Sequence, residues 1–183
     1  MAEYFDVVDE NGEPTGEIVE RTIAHRDGIR HRTSHVWIAR QGSNGPQILL
    51  QKRCMEKDSY PGCYDISSAG HITAGDEYVH SALRELREEL GVEATAEQLL
   101  YCGLRNTSSD RNFHGAEFHD RQVSKVFLMW LDQEEEYFSP QPEEIDSVMW
   151  IDFQECVSKV ENQEIPNCIY MEELMMIKPF LQG

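Results

Sequence analysis

The run Arg84-Glu85-Leu86-Arg87-Glu88-Glu89-Leu90-Gly91-Val92 constrains this chain more than any other stretch. Val79, Ala82, Leu83, Leu86 and Leu90 recur at the spacing of one buried helical stripe. At about 100° per residue, Glu85 and Glu89 lie one turn apart beside that stripe, with Glu88 roughly 60–100° further round. Like charges at i,i+4 destabilise a bare helix by roughly a few tenths of a kcal/mol. Arg84 is placed to pair with Glu88, whereas Glu85 and Glu89 have no equally obvious local partner. Two unpaired carboxylates on a half-buried edge predict a hard divalent cation between them.

The flanks give that helix its context. Thr73, Gly75 and Asp76 predict a turn and an N-cap, and Gly91 sits where a left-handed residue ends a helix, so that Val92 folds back on Leu86. Residues 65–70 read as a strand running into a tight glycine loop. Strand, loop and helix together match the pattern Gly-x5-Glu-x7-Arg-Glu-(apolar)-x-Glu-Glu-x-Gly-(apolar) through Gly70, Arg84, Glu85, Leu86, Glu88, Glu89, Gly91 and Val92. Asp76 stands where the pattern has Glu, one methylene shorter. The unit resembles the Nudix box. That resemblance implies a Nudix-type α/β/α sandwich with a mixed sheet, and cleavage of a diphosphate with Mg2+ or Mn2+. It also implicates the backbone carbonyl of Ala69 as a metal ligand beside Glu85, Glu88 and Glu89.

With 183 residues and no Pro/Ser/Gly-rich linker, the chain reads as a single Nudix domain. Residues 1–33 form an N-terminal extension packed on it, and 152–183 supply C-terminal helices. A formal charge of −18, from 34 acidic and 16 basic residues, repels phosphate backbones and argues against a nucleic-acid polymer as partner. The same charge repels a small diphosphate substrate unless metal ions and local cations reverse the field. No apolar run approaches membrane length, and the N-terminus carries no targeting signal. Cys54, Cys63, Cys102, Cys156 and Cys168 form no CxxC pair, so reduced cytoplasmic thiols are expected. A homodimer is compatible with the family but marked by no segment.

Along the chain, residues 4–8 read as a strand, 9–16 as a turn cluster and 18–25 as a helical turn. Residues 34–39 and 47–52 read as paired strands across a hairpin, and 54–62 as a loop. Strands follow near 99–105, 123–131 and 147–151, with helices over 152–160 and 168–181. The polar stretch 108–120 reads as a long loop, and long loops in compact domains are often functional. Its Glu117 and Asp120 are therefore candidates for the general base, which falls either to the box or to a later carboxylate. Lys52 and Arg53 are candidate phosphate donors. Trp37 and Trp150 read as core aromatics. Gln51-Lys52-Arg53, Tyr60-Pro61-Gly62, Tyr64-Asp65 and Glu143-Glu144-Ile145 ahead of Trp150 extend the resemblance over roughly residues 34–155.

His25, His31 and His71 resemble the three histidines of isopentenyl diphosphate isomerase, a metal-dependent relative with a modified Nudix helix. They define a second candidate metal site, and three histidines suit Mn2+ or Zn2+ better than Mg2+. His71 is also a candidate on the substrate side. That isomerase needs a catalytic cysteine just before the Gly-His pair, where this chain has Ala69. It also needs a Glu-x-Glu pair, where this chain has Asp120-Arg121-Gln122. Protonating a double bond needs groups of that kind, and alanine supplies none. The expectation is therefore a pyrophosphohydrolase acting on a nucleoside diphosphate derivative or related organic diphosphate. An isomerase and a non-catalytic ligand-sensing domain are the alternatives.

Overall fold

A computed structural model describes residues 2–57, 59–113 and 115–181. Met1, Asp58, His114, Gln182 and Gly183 lie outside the described residues, which removes one position each from the expected 54–62 and 108–120 loops. Strands Tyr4–Val8 (β1) and Pro14–Glu20 (β2) form a small antiparallel sheet, followed by helix Arg21–Asp27 (α1). A seven-stranded sheet then takes His31–Gly42 (β3), Gly45–Arg53 (β4), Tyr64–Asp65 (β5), Ser68–His71 (β6), Leu100–Phe113 (β7), Ala116–Trp130 (β8) and Ile145–Asp152 (β9). Its order is β5-β4-β3-β8-β7, with β6 added to β3 and β9 to β4. β3 and β8 run parallel and the other strand pairings in this sheet are antiparallel, so the sheet is mixed.

Alternation along β3 builds two cores. Val36 and Ile38 face helix Tyr78–Leu90 (α2), where Ala82, Leu86 and Leu90 are buried with Leu49, Phe127 and Met129. Trp37 and Ala39 face helices Phe153–Glu161 (α3) and Met171–Ile177 (α4), with Cys156, Val160, Leu174 and Ile177 against Leu50, Val126 and Leu128. Each fully buried leucine contributes about 1.5–3 kcal/mol relative to exposure. Helices on both faces of a mixed sheet make the expected α/β/α sandwich.

The site lies where β3 changes partner. β3 pairs with β4 through Ala39–Gly42 and with β6 through Thr33–Val36. At the split, Ile38 N donates to Ser67 Oγ (2.7 Å) and that hydroxyl donates to Leu49 O (2.6 Å). A buried side chain thus completes the ladder that the diverging strands abandon. The expected continuous strand over 65–70 is broken here, because Asp65 Oδ1 accepts its neighbour's Ile66 N (2.8 Å) and Ser67 is spent on the bridge.

Other expectations shift as well. β2 runs on to Glu20, whose carboxylate caps Thr22 N and Ile23 N, so the first helix begins at Arg21 and not at residue 18. The 108–120 stretch is no loop. It is the outer part of the β7–β8 hairpin, in register from Thr107↔Gln122 to Phe113↔Ala116. Much of it is solvent-exposed, so its strands lack the apolar alternation that marks a half-buried sheet. The last expected helix splits, because Cys168 N donates to Tyr64 O (3.0 Å) and Tyr64 N to Pro166 O (2.8 Å); α4 starts only at Met171. Trp37 is fully buried, whereas Trp150 is half-buried beneath the Arg40 guanidinium (4.5 Å). Among the described residues, no helix is long and apolar enough to cross a membrane.

Candidate metal and diphosphate site

α2 ends as its sequence dictates: Gly91 is left-handed (φ 70°) and Val92 N donates to Leu86 O (3.0 Å). Its start differs from expectation. Glu77 occupies the cap position and no side chain caps the helix; Asp76 instead accepts from Glu77 N, His80 Nδ1 and Ser81 Oγ. The helix lays Glu85 and Glu89 against β6. Glu89 Oε2 accepts Ser68 Oγ (2.7 Å) and Ala69 N (3.3 Å). Glu85 rests on Gly70, where an added Cβ would fall 2.2 Å from its carboxyl carbon. That contact is the physical reason for glycine at position 70.

Glu85 is not without a partner. Arg84 Nη2 lies 2.9 Å from Glu85 Oε1, Arg84 Nη1 reaches Glu88 (3.3 Å), and Nη2 also donates to His71 O (3.3 Å). One guanidinium thus ties the acidic helix to β6. Burial nevertheless dominates the electrostatics. It pushes Glu85 up to about 7 against the pull of Arg84, with Glu88, Glu3 and Glu144 adding repulsion. Glu89 is pushed up to about 8 by burial, opposed by the Ser68 hydrogen bond and reinforced by Glu85 and Glu144. Two carboxyls that resist ionisation side by side suit a divalent cation, whose charge reverses that preference.

Glu144 was not among the site residues expected from sequence. It precedes β9, pairs with Lys57 and acts on both Glu85 and Glu89. Its Glu-Glu-Ile setting is visible in the sequence, but no spacing ties it to α2.

The second group lies at the start of β3. Ligand nitrogens of His25, His31 and His71 all fall within 4.8 Å of one another. Phe5 stacks on His31 (4.8 Å) and His71 (4.7 Å), and Phe118 stacks on His25 (4.4 Å). His31 Nδ1 is 2.9 Å from Ile29 O; a carbonyl only accepts, so Nδ1 carries the proton and Nε2 presents a lone pair. Both nitrogens of His25, and Nε2 of His31 and His71, are buried without a hydrogen-bond partner among the described residues. Asp120 Oδ1 is orphaned too, 3.9 Å from His25 Nδ1. Buried polar atoms normally find partners, so four residues with converging orphaned atoms fit a bound metal ion. Burial holds His25 at about 3, keeps His31 and His71 below the ordinary histidine value, and pushes Asp120 up to about 6. Neutral imidazole is the ligating form.

The remaining candidates have other side-chain partners, although the charge of Glu89 acts on Arg53. Glu117 projects into solvent with its side chain 82% exposed, beside His119. Lys52 pairs with Asp146 (3.1 Å), and Arg53 with Asp65 (3.1 Å) and Ser59 O (3.0 Å).

Residues 30–170 match the family model described as NUDIX domain. The chain belongs to the Nudix family. Among its relatives, Nudix hydrolase 3 of Arabidopsis thaliana is 41% identical over 158 residues, which is 84% of this chain and 20% of that protein. This Nudix chain therefore spans about a fifth of that relative. An Isopentenyl-diphosphate Delta-isomerase of Dinoroseobacter shibae is 29% identical over 79% of this chain and 77% of its own length. The solved structure of DR0079 from Deinococcus radiodurans shares the Nudix fold, with a TM-score of 0.68 at 20% identity over 94% of this chain and 98% of that one.

Proposed function

We propose that this Nudix chain, read as a single domain over residues 1–183, hydrolyses a diphosphate linkage in a nucleoside diphosphate derivative or a related organic diphosphate. Mg2+ or Mn2+ would be held by Glu85, Glu89, Glu88 and the carbonyl of Ala69. The observation that carries this reading is the pair Glu85, half-buried on Gly70, and Glu89, buried against Ser68, both with their ionisation suppressed. A divalent ion there supplies charge neutralisation of the phosphates and a more acidic bound water. Arg84 orients the carboxylates and fixes β6 through His71 O. Glu144, whose charge acts on the same pair, is a candidate general base beside Glu88. Lys52, paired with Asp146, and Arg53, paired with Asp65, are the candidate cations for a phosphate.

Purified protein is expected to split members of a panel of nucleoside diphosphate derivatives and other organic diphosphates with Mg2+ or Mn2+, and not with EDTA, giving two phosphate monoesters, or a monoester and phosphate where one end is unsubstituted. A metal-independent rate, or isomerisation of isopentenyl diphosphate in place of hydrolysis, would overturn the reading. Hydrolysis is favoured over isomerisation because Ala69 offers no group that moves a proton.

His25, His31, His71 and Asp120 would hold a second ion, with Mn2+ or Zn2+ matching nitrogen-rich ligation. With the Glu85 and Glu89 site first filled by saturating Mg2+, a further rise in melting temperature is expected on adding Mn2+ or Zn2+ at pH 7.5, and it is expected to disappear in His25→Gln. Ligand binding to the folded state alone stabilises by roughly 2.7 kcal/mol at a hundredfold excess over Kd. An equal rise in the variant would remove this site.

A further inference from the structure

Lys57 is a cation to which neither group above gives a role, and its setting is specific. Residues 139–145 run as a strap along the last turn of α2. Ser139 N donates to Leu90 O (2.9 Å) and Gln141 N to Glu89 O (2.9 Å), so the strap takes up carbonyls that a helix end leaves unpaired. Gln141 O accepts both Glu144 N (3.0 Å) and Ile145 N (2.8 Å), which turns the chain into β9. Cys54, just past the end of β4, holds this turn from the other side: its N donates to Glu144 O (3.0 Å) and its Sγ to Glu143 O (3.0 Å). The backbone of Glu144 is therefore fixed at the end of α2 by bonds that owe nothing to its side chain. That side chain has one ionic partner among the described residues, Lys57, whose own N donates to Cys54 O (3.4 Å).

Charge and chemistry set this pair apart from the other cation at the site. Glu144 adds repulsion to both Glu85 and Glu89, so its carboxylate belongs to the same acidic group. Arg84 spans Glu85, Glu88 and His71 O, three contacts from one rigid fork. Lys57 instead offers a point charge on a flexible stem. Its side chain is 20% exposed and that of Glu144 37%, and a pair so open to solvent holds weakly. A divalent ion at Glu85 and Glu89 brings twice the charge of an ammonium to the neighbouring carboxylate. Arg84 is thus placed to stay when the site is loaded, and Lys57 to be displaced.

We infer that Lys57 is the resident counter-ion of the metal site: it positions the Glu144 side chain beside the α2 carboxylates while no metal is bound, and yields that carboxylate to Mg2+ or Mn2+ when the site is loaded. Lys57 is a positioning residue, acting through Glu144 and not on substrate. Once the exchange is made, Glu144 faces the reacting centre without an ammonium on it, as a general base must. The inference rests on the proposed site at Glu85 and Glu89 but not on hydrolysis, so the two readings can fail separately.

Calorimetric titration with Mg2+, an ion poorly suited to the nitrogen ligands of the histidine group, reads the exchange directly. Lys57→Met removes the ammonium and keeps the bulk of the stem. It is expected to tighten Mg2+ binding about threefold to fivefold, the range of a partly exposed ion pair, with the melting temperature of the metal-free protein retained. Glu144→Gln is expected to weaken binding, and Lys57→Met added to it to give little or no gain. Lys57→Arg, whose fork grips a carboxylate with two donors, is expected to weaken Mg2+ binding and serves if Lys57→Met does not fold. A merely structural Lys57 would move the melting temperature and leave Mg2+ affinity alone. Unchanged or weaker binding in Lys57→Met overturns the inference, as does a gain that persists in full beside Glu144→Gln. So does unchanged affinity in Lys57→Arg where Lys57→Met does not fold, or a wild-type protein that binds no Mg2+. If Lys57→Met tightens Mg2+ yet no diphosphate is split, the hydrolase reading falls and the role of Lys57 stands. If hydrolysis requires Mg2+ and Lys57→Met binds it as wild type, the reverse holds.

Discussion

Glu89→Gln is expected to cut diphosphate hydrolysis by about 10²–10³-fold or more, the loss typical of removing one preorganised electrostatic contact at a reacting phosphate. The same substitution is expected to make the metal-free protein more stable at alkaline pH. Glu89 is nearly fully buried, and its carboxyl titrates at about 8 when folded against an ordinary value of 4.5. A carboxyl that holds its proton more tightly in the folded state favours folding fully below 4.5, and that advantage drains away as pH rises towards 8. Across that window the change is on the order of 5 kcal/mol for one such group. Glu85, at about 7, adds to it with the same sign. Glutamine carries no charge to bury and keeps an acceptor for Ser68 Oγ and Ala69 N. Melting temperatures of the EDTA-treated wild type should therefore fall from pH 5 to pH 8.5, and the fall should shrink by about half or more in Glu89→Gln. Saturating Mg2+ should flatten the wild-type curve and leave the variant unmoved. A variant that keeps the full wild-type slope, or full activity, would refute the assignment of Glu89.

What the sequence disclosed follows from where its signals are local. α2 carries a stripe at helical period, a glycine at its end and an apolar residue to fold back, and each does as its chemistry requires. The pairing of Arg84 with Glu85 was hidden because adjacent residues do not face each other on a helix. A long guanidinium nevertheless reaches round the edge to Glu85 while touching Glu88 and His71 O. The histidines were legible only as a resemblance. Their convergence depends on the N-terminal sheet, which places Phe5 against both His31 and His71, and nothing in their spacing shows that. Asp120 was legible as a candidate carboxylate beside Glu117, but not as a neighbour of the histidines. Its burial beside His25 appears only once the 108–120 stretch is paired as a hairpin, which fixes the face to which each residue turns. Glu144 meets the site through a contact distant in sequence, Lys57, that no periodicity encodes.

Gly70→Ala tests how closely that geometry must be kept. Gly70 has no left-handed backbone conformation, so alanine adds no backbone strain there. Removing glycine's freedom in the unfolded chain stabilises a compatible site by about 0.4–1 kcal/mol. The conflict is purely steric: the new methyl would fall 2.2 Å from Glu85 Cδ and 2.3 Å from its Cγ and Oε1. Glu85 is a flexible, half-buried side chain, and it yields where a backbone atom would not. The fold is thus expected to survive with a melting temperature within about 5 °C of wild type, since shifts of that size correspond to about 1–2 kcal/mol in a domain this large. Activity is expected to drop by about 10²-fold, because displacing a reacting-site group by an ångström costs about that much. Stability and rate therefore separate in this one variant. If Gly70→Ala unfolded the protein, glycine at 70 would be serving the sheet. If it hydrolysed at the wild-type rate, the seat of Glu85 against β6 would have no part in catalysis, and the metal site would have to be built from Glu88, Glu89 and Glu144 without it.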